Sequence, residues 1–87
     1  QNPAVIISQD GLSAEIRGSV ALEGNQADAN FIGVAAAVYD ENGQPSGLRR
    51  WESPVGLESG SGLVYQFNVY SLDGPIDRVE VQAETRP

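Results

Sequence analysis

Turn-forming residues divide this chain into short segments, and their spacing limits the possible folds more than any other feature of the sequence. They stand at Asp10-Gly11, Gly24-Asn25, Asn42-Gly43, Gly60-Ser61-Gly62 and Asp73-Gly74-Pro75. No segment between them has the apolar i, i+3, i+4, i+7 spacing of an amphipathic helix. Short segments bounded by Gly, Asn, Asp and Pro are typical of all-β sandwiches and barrels.

Three segments alternate apolar and polar side chains with the period of two that a half-buried strand requires. We therefore expect antiparallel strands that bury one face and expose the other. Gly18 falls in the apolar row of the first segment, which predicts a β-bulge or a close approach of another backbone. The apolar positions are Ala14, Ile16, Val20 and Leu22 in the first segment, Leu63, Tyr65, Phe67 and Val69 in the second, and Val79, Val81 and Ala83 in the third.

Residues 30–40 are apolar on both faces, which predicts a central strand whose even-numbered residues enter the core. The odd-numbered face carries the small residues Gly33, Ala35 and Ala37. We expect this face to lie under a loop, a neighbouring domain or a partner. The run of three alanines also permits a helix, but Gly33 and the β-branched neighbours disfavour one.

Asn42-Gly43 is the strongest hairpin signal in the chain and leads into a strand at residues 44–53. Pro45 and Pro54 bracket that strand, which favours an edge position, and residues 4–8 predict a second edge strand. The fold expected is an all-β, immunoglobulin-like antiparallel sandwich of about seven strands, in one domain over residues 1–87. Because the chain begins with Gln1, we also expect a processed product or a piece excised from a larger envelope or secreted protein.

The composition excludes several classes of chemistry. The chain contains no Cys, His, Met or Lys, so disulfides, thiolate or imidazole metal sites and imidazole acid–base catalysis are absent. A serine nucleophile would have only carboxylates as bases. Catalysis by a pair of carboxylates requires surroundings that separate their pKa values, and no pair in this sequence is expected to have such surroundings. The net charge of −7 opposes binding to nucleic acid or anionic lipid, and no apolar run is long enough for a membrane helix. We predict no catalytic residue, no cofactor and no membrane insertion.

Several motifs resemble the FxLYD-type and related immunoglobulin-like modules of bacteria. The run Glu15-Ile16-Arg17-Gly18-Ser19-Val20 resembles the opening strand of those modules, and Val38-Tyr39-Asp40-Glu41-Asn42-Gly43 is similar to their LYD-x-x-G motif. Leu57-Glu58-Ser59-Gly60 resembles the following turn, and Tyr65 and Phe67 lie in the strand after it. The resemblance implies a β-sandwich accessory module of an extracytoplasmic protein that acts as a spacer or a protein-binding domain.

The run Arg49-Arg50-Trp51 has no counterpart in those motifs and is the main candidate for a binding site. Trp and Arg are the residues most enriched in interface hot spots, and the two arginines form the one basic spot of an acidic chain. A second interpretation is a carbohydrate-binding module in which Tyr39 and Tyr70 extend an aromatic platform from Trp51. A third is that the Trp51 ring covers the edge of the sandwich and has a packing role.

Calcium is the one metal whose preferred ligands the chain offers, because Ca²⁺ binds carboxylate and carbonyl oxygens. Asp40 and Asn42 lie at one turn, and Asp28 could lie near them in the adjacent loop. The remaining acidic ligands of a calcium loop are missing at the required spacing. We therefore expect Asp40 to accept hydrogen bonds from its own turn, as Asp commonly does there.

Overall fold

The computed structural model describes residues 3–87, which form β-strands and no helix. The strands are β1 (Ala4–Ile7), β2 (Ser13–Ala21), β3 (Phe31–Tyr39), β4 (Pro45–Glu52), β5 (Gly62–Tyr70) and β6 (Arg78–Arg86). They pair into two antiparallel sheets in the orders β1-β2-β5 and β4-β3-β6. The prediction of an all-β fold is confirmed, whereas residues 3–87 form six strands instead of the expected seven. No helix among these residues is suited to crossing a membrane.

The two sheets share one apolar core, to which both contribute the rows that alternate with period two. The even-numbered residues of β3 are almost completely buried, as their position in a central strand predicts. In β6, which has a neighbour on one side only, Val79 and Val81 are partly buried and Ala83 is exposed. The buried core consists of Ala14, Ile16, Val20, Leu22, Ala29, Ile32, Val34, Ala36, Val38, Leu57, Tyr65, Phe67, Val69 and Ile76.

Gly18 lies directly opposite Tyr65 in the regular pairing of β2 with β5. The Tyr65 ring covers the glycine so closely that a methyl group there would overlap the phenol hydroxyl and lie 3.0 Å from Cε2. The sequence predicted a bulge or a close backbone approach at Gly18; instead the pairing there is regular, and the group that approaches closely is the Tyr65 side chain. The absence of a side chain at position 18 is therefore what admits a large aromatic ring to the core.

The edges of the two sheets meet along one side of the molecule, where β4 lies next to the end of β5. Gly47 approaches the backbone of Tyr70, and a methyl group on Gly47 would overlap the Tyr70 carbonyl oxygen. The Leu72 N–H donates to the carbonyl oxygen of Ser46 at 2.8 Å. We call this contact of residues 46–49 with residues 68–72 the β4–β5 seam. Both predicted edge strands, β1 and β4, do lie at sheet edges.

Candidate functional site

Arg49 and Arg50 point to opposite faces of β4 and do not form one basic patch. Arg49 pairs with Ala36 on the core-facing side, and its Nη1 donates to the Asn68 carbonyl oxygen across the seam at 3.2 Å. Arg50 pairs with Ala35 on the outer face. One of the two predicted binding arginines therefore ties the sheets together, and the other is available on the surface.

Trp51 lies on the inner side of β4, opposite the buried Val34. Its ring is partly buried against the core, with its centroid 5.7 Å from that of Tyr65. This is the geometry expected if the ring covers the edge of the sandwich. Burial of the Tyr65 ring beside it raises the pKa of the Tyr65 phenol.

The structure separates the three aromatic residues of the predicted platform. Tyr39 lies on the outer face of the β4-β3-β6 sheet, whereas Trp51 in the same sheet faces inward. Tyr70 pairs with Ser13 in the other sheet and is 55% exposed. No flat ligand could stack on all three rings at once.

The predicted calcium ligands are likewise far apart, because Asp28 and Asp40 flank the two ends of the nine-residue β3. Such a strand is about 30 Å long. The Asp40 carboxylate accepts the N–H groups of Asn42 and Gln44 at 2.9 and 3.0 Å, as expected for its turn, and Asp28 accepts the Ser59 N–H at 2.7 Å. Within residues 3–87 no group of three acidic side chains is placed to hold a metal ion.

The most distinctive surface is a trough on the outer face of the β4-β3-β6 sheet. Its floor follows the central strand through Ala35 and Ala37, whose small side chains form a depression, whereas the neighbouring Gly33 is covered by the Phe31 ring. The aromatic rings of Phe31 and Tyr39 stand at its two ends. The depression at the Phe31 end has a volume of about 230 Å³. We call this surface the outer trough.

Longer side chains from the two neighbouring strands form the walls of the outer trough. Leu48, Arg50 and Glu52 project from β4, and Gln82 and Glu84 project from β6. Since adjacent strands lie about 4.8 Å apart, the walls are separated by nearly 10 Å. That width admits one row of side chains from a partner.

Stacked arginines fix both ends of the trough. The Arg86 guanidinium lies 4.1 Å from the Phe31 ring centroid, and that of Arg78 lies 4.2 Å from the Tyr39 centroid. The Tyr39 hydroxyl donates to Glu80 Oε1 at 3.0 Å, and this bond together with the nearby negative charge raises the pKa of the Tyr39 phenol. These contacts hold the two rings in place at the ends of the trough, with the Phe31 ring lying over Gly33.

The trough is electrically neutral on an acidic molecule. Three arginines and three glutamates line it, whereas the whole chain carries −7. Arg78 pairs with Glu80 and Arg86 with Glu84 at 3.6 and 2.8 Å. Among residues 3–87, Arg50 makes no salt bridge, which leaves a cation on the rim for an acidic group from outside.

Sequence reasoning anticipated the floor of this trough but missed most of its walls. The signal was present, since the polar residues 78–86 alternate on the side opposite the core. From the sequence alone, these polar residues are predicted to form an ordinary solvent-exposed face, because nothing in the sequence places them beside the face of β3 that carries Gly and Ala.

Comparison with protein-family models, curated proteins and solved structures finds no match for this chain. Its function is therefore inferred from the surfaces described above.

Proposed function

We propose that this chain is a non-catalytic, immunoglobulin-like accessory module of a bacterial cell-envelope or secreted protein, acting as a spacer or protein-interaction domain. Its strand order supports this, because the β2–β5 and β3–β6 pairings correspond to the B–E and C–F pairings of the immunoglobulin fold. The resemblance of residues 15–20 and 38–43 to bacterial modules of this class supports the same setting.

The outer trough is the observation that carries the interaction role. A sheet face whose floor is formed by Ala35 and Ala37 offers little apolar contact by itself, but it lets a partner approach close to the backbone. The neutral charge removes the repulsion that the rest of this surface would exert on another acidic protein. The partner that fits is a protein segment or neighbouring domain that places small apolar side chains over Ala35 and Ala37 and a carboxylate near Arg50.

Filling the trough tests this role. Ala35→Gln and Ala37→Gln put long uncharged side chains on the floor, and Val64→Gln makes the same kind of change on the outer face of the other sheet, where Val64 is 81% exposed. The immobilised proteins are exposed to an envelope extract, retained proteins are identified, and the affinity of each purified partner is measured.

We expect at least one partner whose affinity falls about tenfold or more with either trough variant and stays unchanged with Val64→Gln. If no retained protein distinguishes the trough variants from the control, the docking role is rejected.

The carbohydrate-binding alternative has less support, because Trp51, Tyr39 and Tyr70 lie on three separate surfaces. A glycan whose addition shifts the fluorescence of the single tryptophan would support the carbohydrate-binding alternative.

A further inference from the structure

The strand β6 has a free backbone edge. It pairs with β3 along all nine of its residues, Arg78–Arg86, and no other strand among residues 3–87 pairs with it. In the immunoglobulin fold the place beside this strand belongs to strand G. The edge therefore presents a row of N–H and C=O groups for another strand.

Apolar side chains flank this edge on the core side. Val5 and Ile7 of β1 lie opposite core residues of β2 and so face inward, yet they are 38% and 43% exposed. Val79 and Val81 of β6 are also only partly buried against the core. Within residues 3–87, the side of the molecule bounded by β1 and β6 thus lacks contacts like those that close the β4–β5 seam.

We propose that a second copy of this chain covers this edge, with the two β6 strands paired antiparallel about a two-fold axis at Val81. In this register Arg78 lies opposite Glu84 of the second copy, and Val79 lies opposite its Ala83. Opposite charges and apolar pairs placed directly across an antiparallel ladder stabilise it.

The pattern of charges on β6 selects this register. The outward row reads Arg78, Glu80, Gln82, Glu84, Arg86 and is symmetric about its middle residue. A two-fold axis at Gln82 would set arginine against arginine and glutamate against glutamate, which is unfavourable. Moving the axis to Val81 replaces these repulsions with two Arg–Glu pairs and centres the contact on the valine.

Symmetry also explains how a second copy covers the apolar side chains between β1 and β6. A two-fold axis perpendicular to the sheet keeps both cores on the same side of the joined sheet, so the two β1 strands approach each other above the junction. Val5 and Ile7 of both copies then lie on the core side of the joined sheet, next to the junction. The edge row carries two arginines and two glutamates, so two chains of charge −7 can approach here without a local excess of negative charge.

The contact is small. Seven paired residues extend over about 23 Å, which places the interface at the low end of the range for specific association. We therefore expect a weak dimer that forms at high protein concentration. Such a dimer would place two outer troughs in one continuous sheet, although its formation does not depend on any role of the trough.

Sedimentation equilibrium from about 10 µM to about 1 mM tests the proposal. We expect the mass to rise from 9.2 kDa towards twice that value. Glu84→Arg should weaken association about tenfold, because Arg78 then meets an arginine at two symmetric positions, and adding Arg78→Glu should restore it. Both side chains are more than half exposed, so the fold tolerates these changes.

A disulfide trap provides an independent measurement, because the chain has no cysteine of its own. Val81→Cys should form a covalent dimer on mild oxidation much faster than Val64→Cys, whose side chain is more exposed but lies away from the edge. A monomeric mass at all concentrations would overturn the proposal. A dimer that is unaffected by Glu84→Arg, or equal oxidation of the two cysteine variants, would overturn it as well.

Discussion

The close approach at Gly47 leads to the sharpest stability prediction. Alanine at this position would place Cβ against the Tyr70 carbonyl oxygen, 3.1 Å from the carbonyl carbon and 2.9 Å from Val38 Cγ2. Two of these three atoms belong to backbone and cannot rotate away. Gly47→Ala must therefore push β4 and β5 apart at the seam.

The magnitude follows from what this separation disrupts. Overpacking a well-packed site costs about 1–3 kcal/mol. The Leu72 N–H bond to the Ser46 carbonyl oxygen lies beside the overlap, and its loss adds about 1 kcal/mol. We expect the free energy of unfolding to fall by about 3 kcal/mol in total, a large part of the stability of a small domain.

Urea denaturation followed by the fluorescence of Trp51 measures this loss, because the only tryptophan packs against the core. The matched control is Gly24→Ala, since a methyl group there meets no atom of the described residues 3–87 within 4 Å. We expect the control to change stability by less than about 1 kcal/mol. Equal midpoints for the two variants would refute the close contact between the sheets at Gly47.

Three further predictions concern single contacts. Gly18→Ala adds a methyl group beneath the Tyr65 ring and should lower the free energy of unfolding, measured by urea denaturation, by about 1–3 kcal/mol. An unchanged midpoint would contradict the close contact between Gly18 and Tyr65. Glu80→Gln replaces the carboxylate whose hydrogen bond and negative charge raise the pKa of Tyr39, so ultraviolet titration should show one phenol ionising at lower pH; superimposed curves for the two proteins would count against the Tyr39–Glu80 interaction. A hydrogen bond from the Ser8 hydroxyl, aided by a backbone N–H, lowers the pKa of Asp10. Its contribution to stability is present above the ordinary carboxyl pKa and lost as pH falls through the lowered value, so Asp10→Asn should be less stable than wild type at neutral pH and equal to it in acid.

Sequence periodicity predicted the parts of the fold where burial alone decides orientation. The even-numbered residues of β3 and the odd-numbered residues of β5 enter the core as expected, because an exposed apolar row would be costly. The role of Asp40 in its turn was equally predictable, since Asp accepts local N–H groups with little help from the rest of the fold.

The orientation of β4 could not be predicted, because this edge strand does not alternate by polarity. Arg49 lies on the inner side and reaches a carbonyl of the other sheet, while Leu48 on the outer side is exposed. The pairing of β4 with β3 also shifts by one residue between Val38 and Tyr39. Nothing in the sequence fixes that shift, so the placement of the predicted binding residues depended on tertiary structure.

The order of the strands has a consequence for synthesis of the protein. The pairing of β2 with β5 joins residues 41 to 57 positions apart, and the pairing of β3 with β6 joins residues 39 to 55 positions apart. Closing such long loops is slow, and a ribosome adds only about 5–20 residues each second. The first half of the nascent chain therefore leaves the ribosome seconds before its partners exist, with the apolar row of β3 uncovered. During that interval the chain depends on chaperones or on its own acidic charge to avoid aggregation.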